Sequence, residues 1–198
     1  TMKKSFLNNP VNALLISCIS TALFFTSCNP DSGGSSAKQP TTNTSSSNEK
    51  KVTVPKFNGA AAYDFVKKQV DFGPRMPGSP AHKACADWLA ETLKTYTPDV
   101  IVQEATVKVH TGKKVPMYNI IAAFNPGNKE RVMLCAHWDT RPIADQDDER
   151  TSEPILGAND GGSGVGVLLE IAKVLKANPI DLGVDIILFD VEDYGNPE

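Results

Sequence analysis

Residues 163–189 read SGVGVLLEIAKVLKANPIDLGVDIILF. Within this stretch Val167, Leu168, Ile171, Ala172 and Leu175 recur at three- and four-residue intervals, which predicts a helix over 163–177 with those side chains inward. Asp185 to Phe189 (DIILF) follows as a continuous apolar strand, and Arg131 to Ala136 (RVMLCA) is a similar run upstream. Continuous apolar strands separated by an amphipathic helix imply a parallel pair covered on both faces. The expected class is α/β, a mostly parallel central sheet flanked by helices.

Working outward, residues 60–70 (AAAYDFVKKQV) carry Ala62, Phe65, Val66 and Val70 on one helical face, and Gly73-Pro74 ends that helix. Ser79-Pro80 starts another, with a capping hydroxyl followed by proline at the first helical position. Cys85, Trp88, Leu89, Thr92, Leu93 and Tyr96 form its inner face. Val100 to Val109 and Tyr118 to Phe124 read as strands, Asn125 to Asn128 as a turn, and His137 to Asn159 as a long polar loop. Within it, Asp145 to Glu149 (DQDDE) reads as solvated loop. No internal repeat is present.

The chain has 198 residues, 20 basic and 23 acidic, for a formal charge of −3, and 40% of the residues are hydrophobic. Those values fit a globular protein and exclude a collagen-like, wholly disordered or multi-span membrane chain. No basic excess exists to hold a nucleic acid. The front end differs from the rest. Lys3 and Lys4 precede a mostly apolar run from Val11 to Phe25, about 22 Å long as a helix and short of the roughly 30 Å hydrocarbon core of a membrane. An export signal fits better than a membrane span. Thr26-Ser27-Cys28 closes the run and is similar to the lipobox of bacterial lipoproteins, which implies cleavage before Cys28, lipidation of Cys28, and a protein anchored to a bacterial membrane facing the periplasm. Leu15-Ile16-Ser17-Cys18 also fits locally but would leave almost no apolar region. Residues 1–28 are thus expected as a signal, 29–55 as a flexible polar linker too poor in apolar side chains to fold, and 56–198 as the catalytic-type domain. The two remaining cysteines, Cys85 and Cys135, are expected to be buried free thiols.

In open α/β sheets, sites form beyond the carboxyl ends of the strands. The strand RVMLCA delivers His137-Trp138-Asp139 there, and DIILFD delivers Glu192-Asp193. Asn159-Asp160-Gly161-Gly162 opens the helix between them. Each cluster alone has a plain explanation: a hydrogen-bonded histidine, a helix-capping aspartate, a solvated acidic pair. Together they concentrate carboxylates where burial removes hydration, a cost that a cation compensates. Oxygen donors beside a histidine in an exported protein point first to zinc. Trp138 is expected to line a substrate pocket, His82 to lie on the polar surface, and Met117-Tyr118 to pack in the core.

HWDTRP at 137–142, PILGANDGGSGVGVLLEIA at 154–172 and VDIILFDVEDYG at 184–195 resemble the M28 zinc peptidase clan, and the wording is similar to its bacterial glutaminyl cyclase branch. FGPRMPGSPAHKACADWL at 72–89 and the YNIIA strand fit the same pattern, so the resemblance runs from about residue 57 to the end. It implies a zinc aminopeptidase-like fold. It also implies roles: Asp160 and Asp193 as zinc ligands, Glu192 as the catalytic acid/base, and Asp139 as the residue that orients His137. His137 is a ligand in the two-zinc aminopeptidase reading and otherwise stands near the site. Many members carry glutamate where this chain has Asp193. The resemblance further implies a later aspartate and a final ligand histidine, whereas the sequence stops at Asn196-Pro197-Glu198; by that comparison 56–198 is the N-terminal part of the domain.

Three functions follow from the resemblance. The first is cyclisation of N-terminal glutamine of peptides or proteins to pyroglutamate, with one zinc. The second is a two-zinc aminopeptidase, and the third a non-catalytic lipoprotein that keeps the fold to bind. Peptide N-termini are the expected partners in the first two.

Overall fold

A computed structural model describes residues 53–194. Cys28, the signal-like run, most of the linker and residues 195–198 lie outside the described residues. Asn58 caps α1 (Gly59–Asp71), its side chain accepting from the Ala61 amide at 3.2 Å. Ser79 caps α2 (Pro80–Lys94) through a 3.1 Å bond from the His82 amide, with Pro80 supplying its fixed φ at the first position. Strands β1 (Val100–Lys108), β2 (Lys114–Phe124) and β3 (Arg131–His137) follow, then α3 (Gly162–Ala177) and β4 (Gly183–Phe189).

The sheet has the order β1-β2-β4-β3. β3 and β4 pair in parallel, with Arg131 opposite Gly183 and His137 opposite Phe189, and α3 makes the crossover between them. The α/β class holds, but the expectation of a mostly parallel sheet is corrected among the described residues: β1–β2 and β2–β4 are both antiparallel. The reason lies in the connections. β1 and β2 are joined by a tight turn in which the Val109 amide donates to the Lys113 carbonyl at 3.0 Å and Gly112 adopts φ 84°. So short a loop can only return the chain antiparallel, while a parallel pair needs a long crossover. β2 likewise returns into β3 through a short turn, so β3 and β4, joined by the α3 crossover, both run antiparallel to β2.

Alternation sorts the strands into two faces. Ile120, Ala122, Val184, Ile186 and Leu188 point to one side and pack with Leu89, Leu93, Val165, Leu169 and Ala172 from α2 and α3. On the other side Ile101 and Met133 are 63% and 60% exposed. Cys135 shares that side and is exposed, which corrects the expectation of two buried thiols; Cys85 alone is buried, and burial pushes its thiol up to about 12. The sequence run RVMLCA is apolar throughout, but the described residues cover only the face of Leu134 and Ala136.

α3 also turns slightly from its expected face. Val167 is 43% exposed, and Gly166 lies inward instead against α1, where a Cβ at that position would sit 2.7 Å from both the Ala62 carbonyl oxygen and Val66 Cγ2. This contact makes a prediction that opposes helix propensity. In an exposed helix, Gly to Ala gains about 1 kcal/mol. Gly166→Ala is expected to lower stability instead, by about 1–3 kcal/mol from overpacking, read as a lower urea midpoint at unchanged slope.

Candidate active site

The parallel β3/β4 pair ends on one edge, and the site is built where both strands run out. β3 stops at His137, and the Trp138 amide still donates to the Phe189 carbonyl at 3.0 Å, which keeps the two exits side by side. Beyond that point Asp139 is fully buried. Its two carboxylate oxygens accept from the backbone amides of Glu192 and Asp193, each at 3.2 Å. Asp139 Oδ1 also lies 3.6 Å from His137 Nδ1.

His137 is the meeting point. Its Nε2 is 2.9 Å from Asp160 Oδ1, and its Nδ1 is 3.8 Å from Glu192 Oε2. Three acidic groups around one imidazole favour its protonated form, Asp139 above all, and the pKa is raised to about 9. Asp160 reaches the ring because Gly161 and Gly157 allow the backbone in: a Cβ at Gly161 would meet His137 Cε1 at 2.7 Å, and one at Gly157 (φ 59°) would meet the Asp160 carbonyl oxygen at 2.6 Å. The Asp160 and Glu192 side chains are themselves open, at 66% and 62% exposure.

Asp193 faces elsewhere. It is buried, which pushes its carboxyl up, and it accepts from the Arg141 amide at 2.7 Å and from Arg141 Nε at 3.1 Å. Arg141 in turn reaches Asp145 at 2.8 Å. Asp145 is therefore partly paired, not simply solvated. A cavity of about 410 Å³ opens here, lined by Arg141, Asp145, Asp147, Ile155 and Asp160 among others.

The structure thus brings His137, Asp139, Asp160 and Glu192 together and sets Asp193 against Arg141. Trp138 is placed away from any pocket, contrary to expectation: it is fully buried, its Nε1 donates to the Tyr118 carbonyl at 3.2 Å, and it stacks on His82 at 4.6 Å. The residue alternates away from the site because its neighbours on both sides face it. His82, expected on the surface, is fully buried and lies 2.9 Å from both carboxylate oxygens of Asp190. Sequence reasoning also passed over Arg75. It is fully buried and donates to the carbonyls of Trp138, Leu156 and Gly157 at 2.7–2.9 Å, pinning the 156–160 loop under the strand ends. A lone arginine in the FGPR turn carries no periodic signal; its donors matter only once the distant segments at 138 and 156–157 converge on it.

The donor types present, carboxylates and an imidazole, suit zinc, but a catalytic zinc takes three protein ligands. Among the described residues no group of three or more possible ligands is arranged to hold a metal ion. The fit is in kind and not in number.

Residues 119–196 match the model of peptidase family M28. The matched segment contains His137, Asp139, Asp160, Glu192 and Asp193. A crystal structure of Tannerella forsythia glutaminyl cyclase is 49% identical, with 73% of this chain and 50% of that one covered at a TM-score of 0.71. A Zn-dependent exopeptidase from Parabacteroides distasonis is 50% identical over 74% of this chain and 51% of its own, at a TM-score of 0.72. Aminopeptidase YwaD of Bacillus subtilis (strain 168) is 35% identical over 96 residues, 47% of this chain and 19% of its own length. The chain spans about half the length of the solved structures it matches and less of the curated relative.

The clustered acids set a pH signature of the metal-free protein. The pKa of His137 is near 6.5 when unperturbed and about 9 in the fold. A folded-state pKa raised in this way contributes stability that is complete below 6.5 and lost as pH rises through about 9. With a chelator present, the melting temperature is expected to fall across that window, and His137→Gln is expected to remove this part of the decline.

Proposed function

We propose that this protein is a zinc-dependent glutaminyl-peptide cyclotransferase, converting N-terminal glutamine of peptides or proteins to pyroglutamate with loss of ammonia. The observation that carries the reading is the strand-end cluster of His137, Asp160 and Glu192, set in a fold 49% identical to the T. forsythia glutaminyl cyclase.

The reaction joins the α-amine of the glutamine to its own γ-carboxamide carbon and expels the amide nitrogen. Glu192 is the proton carrier. Its exposed carboxylate takes the proton that the attacking amine loses and returns it to the departing nitrogen, which leaves as ammonia; no proton is gained or lost overall. The α-amine has a pKa near 8 when unperturbed, so a useful fraction is neutral and nucleophilic at neutral pH. Asp139 fixes the backbone of Glu192, and Asp145, Asp147 and Asp160 around the adjoining cavity favour the charged amino end of an incoming peptide. Asp160 and Asp193 are the residues of this chain that would hold zinc, which would supply charge stabilisation at the γ-carbonyl oxygen; Asp193 would then have to leave Arg141.

Two-zinc aminopeptidase action is the second reading, favoured by the similarity to aminopeptidase YwaD and to the P. distasonis exopeptidase. There His137 joins the ligand set and Glu192 activates water. The reading extends to location: lipidation at Cys28 and a polar linker over 29–55 would hold the enzyme at a bacterial membrane facing the periplasm, where peptide N-termini are presented.

The test is ammonia release from a glutamine-initiated peptide by the full chain. Glu192→Gln is expected to lower the rate by about 10²–10⁴-fold, the usual worth of a general acid/base, while zinc titration is unchanged. One zinc per chain supports cyclisation and two support the aminopeptidase. Equal turnover by wild type and Glu192→Gln would remove both.

A further inference from the structure

Val191 has φ 63°. That is the left-handed region, where the Cβ of an L-residue crowds its own backbone and a β-branched side chain is a genuine outlier. Such a conformation persists only when its surroundings over-determine it. Here both sides are tied. Upstream, Asp190 Oδ1 accepts from the Val191 amide at 2.8 Å and Oδ2 from the Tyr118 amide at 2.7 Å. Downstream, the Glu192 and Asp193 amides are held by Asp139.

Asp190 is itself buried; its amide donates to Asn119 Oδ1 at 2.9 Å, and among the described residues the one side chain that meets its carboxylate is His82, from the first turn of α2. The histidine tautomer follows from its neighbours. Nδ1 faces the Gly78 N–H at 3.4 Å and must accept, so Nε2 carries the proton and donates to Asp190. Stacked on Trp138 and fully buried, the ring has no surface to offer a substrate.

We infer that His82 is a positioning residue: through Asp190 it holds the strained Val191 elbow in place, and the elbow aims Glu192 at the site and sets Asp193 against Arg141. His82 touches no reacting atom. The inference rests on the proposed function only for what the elbow delivers; the holding is a property of the metal-free chain.

Backbone amide exchange at Glu192 and Asp193, in the full chain with a chelator, reads the elbow directly. His82→Leu keeps bulk and removes the donor. It is expected to speed exchange at these two amides by at least about tenfold, a change in the range of the strain held there, while Ile186 to Leu188 keep their protection. His82→Gln places an amide donor near the position of Nε2 and is expected to exchange close to wild type. Val191→Gly removes the strain, so His82→Leu combined with Val191→Gly is expected to exchange more slowly than His82→Leu alone. A merely structural histidine gives independent effects instead.

Unchanged exchange in His82→Leu, or multiplied rates in the double variant, overturns the inference. If His82→Leu does not fold, Asp190→Asn weakens the same anchor without leaving a hole, and the comparison is made with and without Val191→Gly. Zinc titration of the wild type separates the two proposals. No zinc binding with the expected exchange pattern sinks the function and leaves the elbow; zinc binding with an insensitive elbow does the reverse.

Discussion

The fully buried carboxylate of Asp139 joins the exits of two strands that are far apart in sequence. A carboxylate without hydration is costly unless donors surround it, and the donors it finds are the backbone amides of Glu192 and Asp193. The bond works both ways. It satisfies an otherwise orphaned charge, and it fixes the direction in which the next two acidic side chains leave β4. Parallel pairing of β3 with β4 is what brings the partners within reach, so the arrangement depends on the α3 crossover.

A second buried charge completes the frame from below. Among the described residues Arg75 has no carboxylate partner within hydrogen-bonding distance, and its guanidinium donates to backbone carbonyls of residues 138, 156 and 157. Five donors in a fixed plane suit that task better than a lysine ammonium would. The 156–160 loop is thereby held close enough for Asp160 to meet His137, and glycines at 157 and 161 leave the room. The result is a site in which the Asp160 and Glu192 side chains are open to solvent while the backbones that carry them are held in place.

The same frame explains the divided behaviour of the acidic residues. Asp139, Asp190 and Asp193 are buried and engaged with named donors; Asp160 and Glu192 project outward. The pairing of Asp193 with Arg141 leaves the metal-free cluster short of a third convergent ligand.

Much of this was legible in the chain itself. Helical periodicity located α1 and α3 to within a residue or two at both ends, and Ser79-Pro80 marked the start of α2, because these signals depend only on neighbours along the chain. The rule that sites gather at strand ends placed His137, Asp139, Asp160 and Glu192 on one edge. What the sequence could not determine were properties of contact between distant segments: that β2 inserts antiparallel beside β4, that Cys135 faces outward, that Trp138 and His82 stack inside, and that Arg75 and Asp190 find their partners. Burial of a polar side chain is decided by whether a donor or acceptor waits for it across the fold, and only the tertiary structure brings that partner into place.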